Sequence, residues 1–197
     1  MASSRQKHLT TAKKGKNDEF YTQWSDIEKE INAYIEYNPN VFQGKTILLP
    51  ADDPFESNFF KFFATKFNEF GINKLISRSY APSPRVNTQL TLLPDLGSEE
   101  KIEKTGMKRQ IRGAYKIQLT KVVDENGTGT VNIDDVITRL TKEKEIIDSG
   151  GTSSILSYLE GDEEPDGINN FSAGDFRSKE VSTLREEADM IITNPPF

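Results

Sequence analysis

The chain has 197 residues, no cysteine and a formal net charge of −6. The length favours a single domain with a sizeable core. The lack of cysteine excludes a disulfide framework or a thiolate metal site. The negative net charge argues against a dedicated nucleic-acid binder. No apolar stretch approaches the roughly 18 residues of a membrane span and the polar, basic N-terminus does not resemble a signal peptide, so we predict a cytoplasmic protein.

The first 16 residues form a basic arm without any acidic side chain. Its cations are Arg5, Lys7, Lys13, Lys14 and Lys16. Such an arm could lie along the phosphates of a nucleic acid, and the alternative is a flexible, solvated terminus. His8 is the only histidine, and because it lies in this arm we assign it no catalytic role. We therefore separate the arm, 1–16, from a domain that occupies 17–197.

The first half of the domain has the pattern of a βαβ unit. Apolar residues at helical spacing predict a helix over 19–36, and a short apolar run predicts a buried strand over 45–50. A second helix is predicted over 56–70, and a glycine stop followed by an apolar run predicts a strand over 71–80. One side of the second helix is aromatic, and we interpret it as core rather than as a base-stacking platform: Phe59, Phe60, Phe63, Phe67 and Phe70.

The alternation of strands and helices is interrupted over 81–170, which we interpret as an insertion on an α/β frame. Alternating apolar residues predict a strand over 114–123. The sequence DENGTGT is typical of a turn, so we predict that TVNI, 130–133, returns as the hairpin partner. A helix over 134–147 follows, and 161–170 is predicted to be an acidic, turn-rich loop.

The most informative motif is Asn194-Pro195-Pro196-Phe197. It follows a predicted short helix, 178–187, and a predicted apolar strand that opens with an acid, 189–193. An amide oxygen and the next backbone carbonyl could each accept one hydrogen of a planar amino group, which would draw its nitrogen toward sp³ geometry and aim the lone pair at a methyl group. Two prolines fix φ and place the carbonyl in advance, and the phenyl ring could stack on a base swung out of a duplex. The alternative is that the prolines only end the strand.

Two further groups of candidate residues follow predicted strands or the insertion. Asp52, Asp53 and Pro54 follow the first strand, and Asp175 and Phe176 follow the insertion. Ligands of an open parallel sheet bind at the carboxyl ends of its strands, where carboxylates and an aromatic wall suit a nucleoside. The alternative for Asp52 and Asp53 is the capping of a helix.

Four segments in this order resemble the EcoRI-type adenine-specific DNA methyltransferases. They are KNDEFYT (16–22), LLPADDPFESNFFKFF (48–63), GDFRS (174–178) and ADMIITNPPF (188–197). The resemblance covers about 16–80 and 170–197. It implies a partial Rossmann-like methyltransferase sheet, with the hairpin-bearing insertion described above, S-adenosylmethionine as the cofactor, double-stranded DNA as the partner, and a place in restriction–modification.

The resemblance also implies a role for each candidate residue. Phe20, Tyr21 and Thr22 would close over the methionine end of the cofactor, and Asp52, Asp53 and Pro54 would form the first cofactor loop. Asp175 and Phe176 would contact the adenine moiety, and Asn194, Pro195, Pro196 and Phe197 would form the catalytic loop. Direct methyl transfer needs no metal, and we predict none.

The sequence departs from the broader methyltransferase pattern at three places. Glu56, Ser57 and Asn58 replace the usual glycine-rich turn, no acid ends the second strand, and the chain stops where the later strands and the target-recognition region should follow. We therefore expect a fragment that is inactive by itself. Two alternatives stay open: a methyltransferase for an amino or amide nitrogen of RNA or protein, and a non-catalytic remnant.

Overall fold

The computed structural model describes residues 22–79, 113–162 and 171–193, which form one five-stranded mixed sheet with helices against it. In chain order the elements are α1 (Trp24–Tyr37), β1 (Thr46–Leu49), α2 (Asn58–Thr65), β2 (Lys74–Arg78), β3 (Tyr115–Leu119), α3 (Ile133–Asp148), β4 (Leu156–Tyr158), α4 (Lys179–Glu187) and β5 (Met190–Ile191). The strand order is β4-β3-β2-β1-β5. None of the helices in these ranges is long and apolar enough to cross a membrane.

The three parallel strands β2, β1 and β5 form the frame that was predicted. All four residues of β1 are buried, as expected for a parallel strand that is covered on both faces. Thr46 of β1 is in register with Lys74 of β2, and Ile47 is in register with Met190 of β5. The α/β class is therefore confirmed, and the carboxyl ends of these strands meet at one edge of the sheet.

The aromatic residues predicted to be core lie in the core. Phe59, Phe60, Phe63 and Phe67 are buried, and Phe70 packs against the same cluster. Helix α2 is shorter than predicted, because it ends at Thr65 and turns follow up to Gly71, whose φ of +62° favours glycine. Trp24 of α1 contacts the ring of Phe62 at 5.3 Å between ring centroids, which joins the two helices.

The predicted hairpin over 130–133 is wrong. Residues 130–132 are not a strand, because Asn132 caps α3: its side chain accepts a hydrogen bond from the backbone N–H of Asp134 at 2.8 Å, and the Asp135 carboxylate accepts the N–H of Asn132 at 2.8 Å. This reciprocal capping satisfies two backbone donors at the start of α3 and so favours the helix over a strand. The antiparallel partner of β3 is instead β4, which the chain reaches only after α3.

The described part of the predicted insertion enlarges the sheet. Strand β3 pairs antiparallel with β2, with Leu75 opposite Leu119, and β4 pairs with β3. Helix α3 buries Val136 and Leu140 in the aromatic core. The boundaries at 16 and 81 and most of the acidic loop predicted over 161–170 lie outside the described residues. The insertion therefore brings new side chains to the parallel frame.

Candidate functional site

The loop after β1 is a tight turn into α2. The Asp53 carbonyl accepts hydrogen bonds from the backbone N–H of Glu56 at 3.1 Å and of Ser57 at 2.7 Å. Ser57 is the N-cap of α2, and its hydroxyl oxygen accepts the N–H of Phe60 at 3.3 Å. Neither aspartate caps the helix, so the capping alternative for Asp52 and Asp53 is wrong. Their carboxylates need another explanation.

Asp52 holds a buried carboxylate with one partner. Its Oδ1 accepts the hydroxyl of Ser57 at 2.6 Å, whereas its Oδ2 is buried without a hydrogen-bond partner among the described residues. Burial raises the pKa of Asp52 to about 6, partly offset by the Ser57 hydroxyl. A buried polar atom without a partner costs roughly 1–3 kcal/mol in folded proteins. A ligand that carries a hydrogen-bond donor would therefore satisfy the unpaired Oδ2 of Asp52.

Asp53 is held by Tyr115, a residue of β3 for which the sequence carried no signal. The Tyr115 hydroxyl donates to Asp53 Oδ2 at 2.7 Å, and the Phe55 N–H donates to Oδ1 at 2.9 Å. Burial raises the pKa of Asp53, and the Tyr115 hydroxyl opposes this rise. Burial, together with the Asp53 charge, also raises the pKa of Tyr115. Tyr115 therefore fixes the orientation of the Asp53 carboxylate.

Asp175 forms an internal ion pair with Arg177. Its carboxylate accepts Nε of Arg177 at 3.0 Å and Nη2 at 2.8 Å, and these hydrogen bonds lower the pKa of Asp175 to about 2. The Arg177 guanidinium also lies over the rings of Phe171 and Phe176, and the Phe176 ring is 60% exposed. The predicted adenine loop thus presents an aromatic face, while its carboxylate is already ion-paired.

Adjacent residues of β2 connect the two loops. The Ser77 hydroxyl donates to the carbonyl of Asp52, and Nη1 of Arg78 donates to the carbonyl of Gly174. Consecutive Cα atoms are about 3.8 Å apart, so the Asp52 loop and the Gly174 loop approach the same end of β2. The sequence has no acid at the end of β2, and the structure shows that the cation Arg78 connects this strand to the Gly174 loop.

The ends of two other predicted segments lie beside the same edge. The Asn58 side chain donates to the carbonyl of Thr22 at 3.0 Å, next to the first loop. The N–H of Ile192 donates to the carbonyl of Leu48 at 3.0 Å, at the carboxyl ends of β5 and β1. Asp189 accepts the N–H of Thr46 at 2.7 Å at the amino ends of the same two strands. Phe20, Tyr21 and the motif Asn194-Pro195-Pro196-Phe197 lie outside the described residues.

A cavity of about 340 Å³ opens elsewhere, between α3 and the residues that follow β3, and includes Glu125, Asp135 and Arg139 in its lining. Both of its acids have partners within the protein. Glu125 pairs with Arg139 and Lys142, and Asp135 accepts three backbone N–H groups. None of the described candidate residues lines this cavity, so the loops at the carboxyl edge of the sheet are the better candidate site.

The raised pKa of Asp52 predicts a dependence of stability on pH. Between pH 3.8, the ordinary pKa of an aspartate, and about pH 6, the folded state binds more protons than the unfolded state. The stability that protonated Asp52 contributes is therefore lost as the pH rises through this window. Asn in this position cannot ionise. We expect the stability advantage of Asp52→Asn over the parent to grow by about 1–3 kcal/mol between pH 4 and pH 7.5, measured by urea unfolding.

Asp26→Asn is the matched control, because Asp26 is exposed in the first turn of α1. The shifted pKa values of Asp53, Glu56 and Asp175 are common to parent and variant, so they cancel in the difference. A stability difference between Asp52→Asn and the parent that stays constant over this pH range would contradict the burial of an ionisable Asp52.

Comparison with known proteins identifies the family of the chain. The model of the family "Adenine-specific methyltransferase EcoRI" matches residues 8–197. The Type II methyltransferase M.EcoRI of Escherichia coli is 32% identical over 191 residues, which cover 97% of this chain and 42% of that protein. The Type II methyltransferase M.MpnI of Mycoplasma pneumoniae is 40% identical over 75 residues, 38% of this chain and 22% of that protein.

No solved structure matches the chain. The matched residues cover less than half the length of each of these relatives. The match of the family model nevertheless runs through every candidate segment, from the FYT residues to the final NPPF. The chain therefore belongs to the family of EcoRI adenine-specific methyltransferases.

Proposed function

We propose that this chain is the cofactor-binding part of an S-adenosylmethionine-dependent DNA adenine-N6 methyltransferase. The observation that carries the proposal is the buried Asp52 Oδ2, which has no hydrogen-bond partner among the described residues. It lies in the loop after a parallel strand, where α/β sheets bind their ligands. Membership of the family supports the same activity.

The residues at the carboxyl edge fit the chemistry of a nucleoside cofactor. Asp52 and Asp53 offer carboxylate oxygens to hydroxyl or ammonium hydrogens, and hydrogen bonds to charged groups are the stronger ones. Phe176 offers an exposed ring to an adenine face. Asp175 would hold this loop in place through Arg177. We assign Phe20, Tyr21 and Thr22 to the methionine end from the resemblance of their segment to that of the family.

When bound, S-adenosylmethionine supplies an electrophilic methyl group. The side chain of Asn194 and the carbonyl of Pro195 would accept the two hydrogens of the adenine amino group, which directs its nitrogen lone pair. Pro196 would restrict the loop, and Phe197 would stack on the base after it leaves the duplex. The amino nitrogen would form a bond to the methyl carbon as the bond from that carbon to the sulfonium sulfur breaks, and the methylated nitrogen would then release one proton. This direct displacement needs no metal ion.

Double-stranded DNA is the proposed substrate and partner. The basic arm, 1–16, has five cations without an acid, and such a segment can neutralise phosphates with the salt dependence that counterion release imposes. The test of the acceptor is the transfer of labelled methyl groups to duplex DNA, RNA and protein by a methylation-competent protein that contains this chain. Label in N6-methyladenine of DNA supports the proposal, and label only in RNA or protein would overturn it.

Cofactor binding is tested on the 197-residue chain by calorimetric titration with S-adenosylmethionine. We expect Asp53→Asn to weaken binding by about 1.5–3 kcal/mol, because a charge-assisted hydrogen bond is lost. Tyr115→Phe, which only frees the carboxylate from its partner, should weaken binding less. Asp26→Asn, which changes the net charge by the same amount as Asp53→Asn, is the control. Equal affinities for the parent and Asp53→Asn would remove Asp53 from the site.

A further inference from the structure

The loop between β3 and α3 has a pattern of oxygen-bearing side chains that the proposed methyl transfer does not explain and that the capping of α3 explains only at Asn132 and Asp135. Over the twelve residues 124–135, the first, third, fifth, ninth and twelfth positions are Asp124, Asn126, Thr128, Asn132 and Asp135. Gly129 occupies the sixth position. This is the ligand spacing of an EF-hand calcium loop, in which the backbone carbonyl of the seventh residue, here Thr130, is a further ligand and the sixth residue is glycine.

The structure agrees with this alignment at positions that do not bind metal. Gly129 has a φ of +90°, which side chains rarely adopt, and nothing lies within 4 Å of a Cβ built on it, so the turn itself requires the glycine. Helix α3 begins at Ile133, the tenth position, so its first turn carries Asp135. The eighth residue, Val131, packs against the core and anchors the loop.

The first and last carboxylates are already oriented by backbone N–H groups. Asp124 accepts the N–H groups of Gly127 at 2.7 Å, Thr128 at 3.1 Å and Gly129 at 2.6 Å. Asp135 accepts those of Glu125 and Asn126 through Oδ1 and that of Asn132 through Oδ2. Among the described residues, Oδ2 of Asp124 accepts a single N–H, as does Oδ2 of Asp135, and a carboxylate oxygen has two lone pairs. Each carboxylate therefore retains capacity for a cation.

The ion pairs around the loop indicate which acidic side chains belong to the proposed ligand set and which do not. Glu125, at the second position, is paired with Lys142 at 2.7 Å and with Arg139 at 3.4 Å, so it is held outside the ligand set. The described residues contain no group of three or more Asp, Glu, His or Cys side chains suited to a metal ion. The set therefore combines two carboxylates with neutral oxygens.

We propose that residues 124–135 form a calcium-binding loop of the EF-hand type, entered from a strand instead of a helix. Spacing carries this inference, since two carboxylates alone would not define a site. Ca²⁺ is favoured over Mg²⁺ because it accepts several neutral oxygens in a flexible geometry, whereas Mg²⁺ demands near-ideal octahedral geometry. Asp in place of Glu at the twelfth position shortens the reach by one methylene, so weak binding is expected. From the sequence we predicted no metal, because direct methyl transfer needs none, and we predicted a turn over 124–130.

The test is calorimetric titration of the 197-residue chain with Ca²⁺ alone, at neutral pH. We expect one saturable site with a dissociation constant on the order of 10⁻⁵–10⁻³ M, the range of weak EF-hand loops, and weaker binding of Mg²⁺. Asp124→Asn, which removes one of two ligand charges, should weaken Ca²⁺ binding by roughly tenfold or more. Asp134→Asn is the matched control, because Asp134 is exposed at the eleventh position and is not a ligand; its effect should stay within about twofold.

Asn126→Ala removes a neutral ligand without a change of charge and should also weaken Ca²⁺ binding several-fold. If circular dichroism shows that Asp124→Asn does not fold, the Ca²⁺ affinity of Asn126→Ala tests the proposal instead. The proposal is overturned if no saturable Ca²⁺ binding occurs up to about 10 mM, beyond the weakest loops of this type, or if Asp134→Asn weakens binding as much as Asp124→Asn does. None of these loop residues belongs to the cofactor loops, so either result leaves the proposed methyl transfer untouched.

Discussion

Asn194→Ala, in a methylation-competent protein that contains this chain, is expected to lower the rate of methyl transfer by on the order of 10²-fold or more, the effect of removing one oriented polar group from a reacting centre. The adenine amino nitrogen is a poor nucleophile because its lone pair is delocalised into the ring. Without the amide oxygen of Asn194, one of the two acceptors that localise this lone pair is lost. The measurement is single-turnover transfer of labelled methyl groups to duplex DNA.

The same variant should bind S-adenosylmethionine nearly as the parent does, because the proposed role of Asn194 is toward the acceptor. Asn40→Ala supplies the control, since Asn40 is exposed in the turn between α1 and β1 and undergoes the same chemical change. Transfer by Asn194→Ala at the parental rate would refute the catalytic assignment. A parallel loss of cofactor affinity would instead show that the substitution disturbs the first loop.

The largest expected effect on stability comes from Phe63→Ala. Phe63 is fully buried, and its ring contacts those of Phe42 at 5.4 Å, Phe62 at 5.7 Å and Phe70 at 6.4 Å between centroids. Removal of a buried phenyl ring costs about 3–5 kcal/mol, since transfer free energy is lost and a cavity remains. Edge-to-face contacts add to this loss. Urea unfolding of parent and variant measures the difference.

Tyr37→Ala is the control for the loss of an aromatic ring, because Tyr37 at the end of α1 is 93% exposed. Its free energy of unfolding should stay within about 0.5 kcal/mol of the parent, as for most surface substitutions. A comparable loss in both variants would mean that the aromatic stripe of α2 is not the centre of the core. A small loss in Phe63→Ala alone would lead to the same conclusion.

The order of elements in the parallel frame was predictable because each signal is local. The apolar run of β1, the aromatic spacing of α2 and the glycine after it all act within a few residues. The end of α2 was predicted too late, because aromatic residues continue at helical spacing beyond Thr65 while the backbone has already left the helix. The error over 130–133 has a local cause as well. The residues Asn132 and Asp135 form a capping pair that competes with the strand pattern.

The contacts that complete the candidate site were not predictable in this way. Tyr115 reaches Asp53 from 62 residues away in the sequence, and Arg78 reaches Gly174 from 96 residues away. No periodicity or short motif encodes either pair. Each depends on the register of β3 against β2 and on the position of the loop before α4, and both are set by packing of the whole sheet.

Sequence patterns were sufficient to predict the class of the fold, the motifs that follow the predicted strands and the family to which the chain belongs. These follow from local backbone preferences and from residue types that the chemistry requires. Three features became evident only in the packed fold: β3 and β4 extend the sheet, Ser57 rather than an aspartate caps α2, and one oxygen of Asp52 is buried without a described partner. Burial and pairing between distant segments arise when the chain closes on itself, so they depend on every packed element at once.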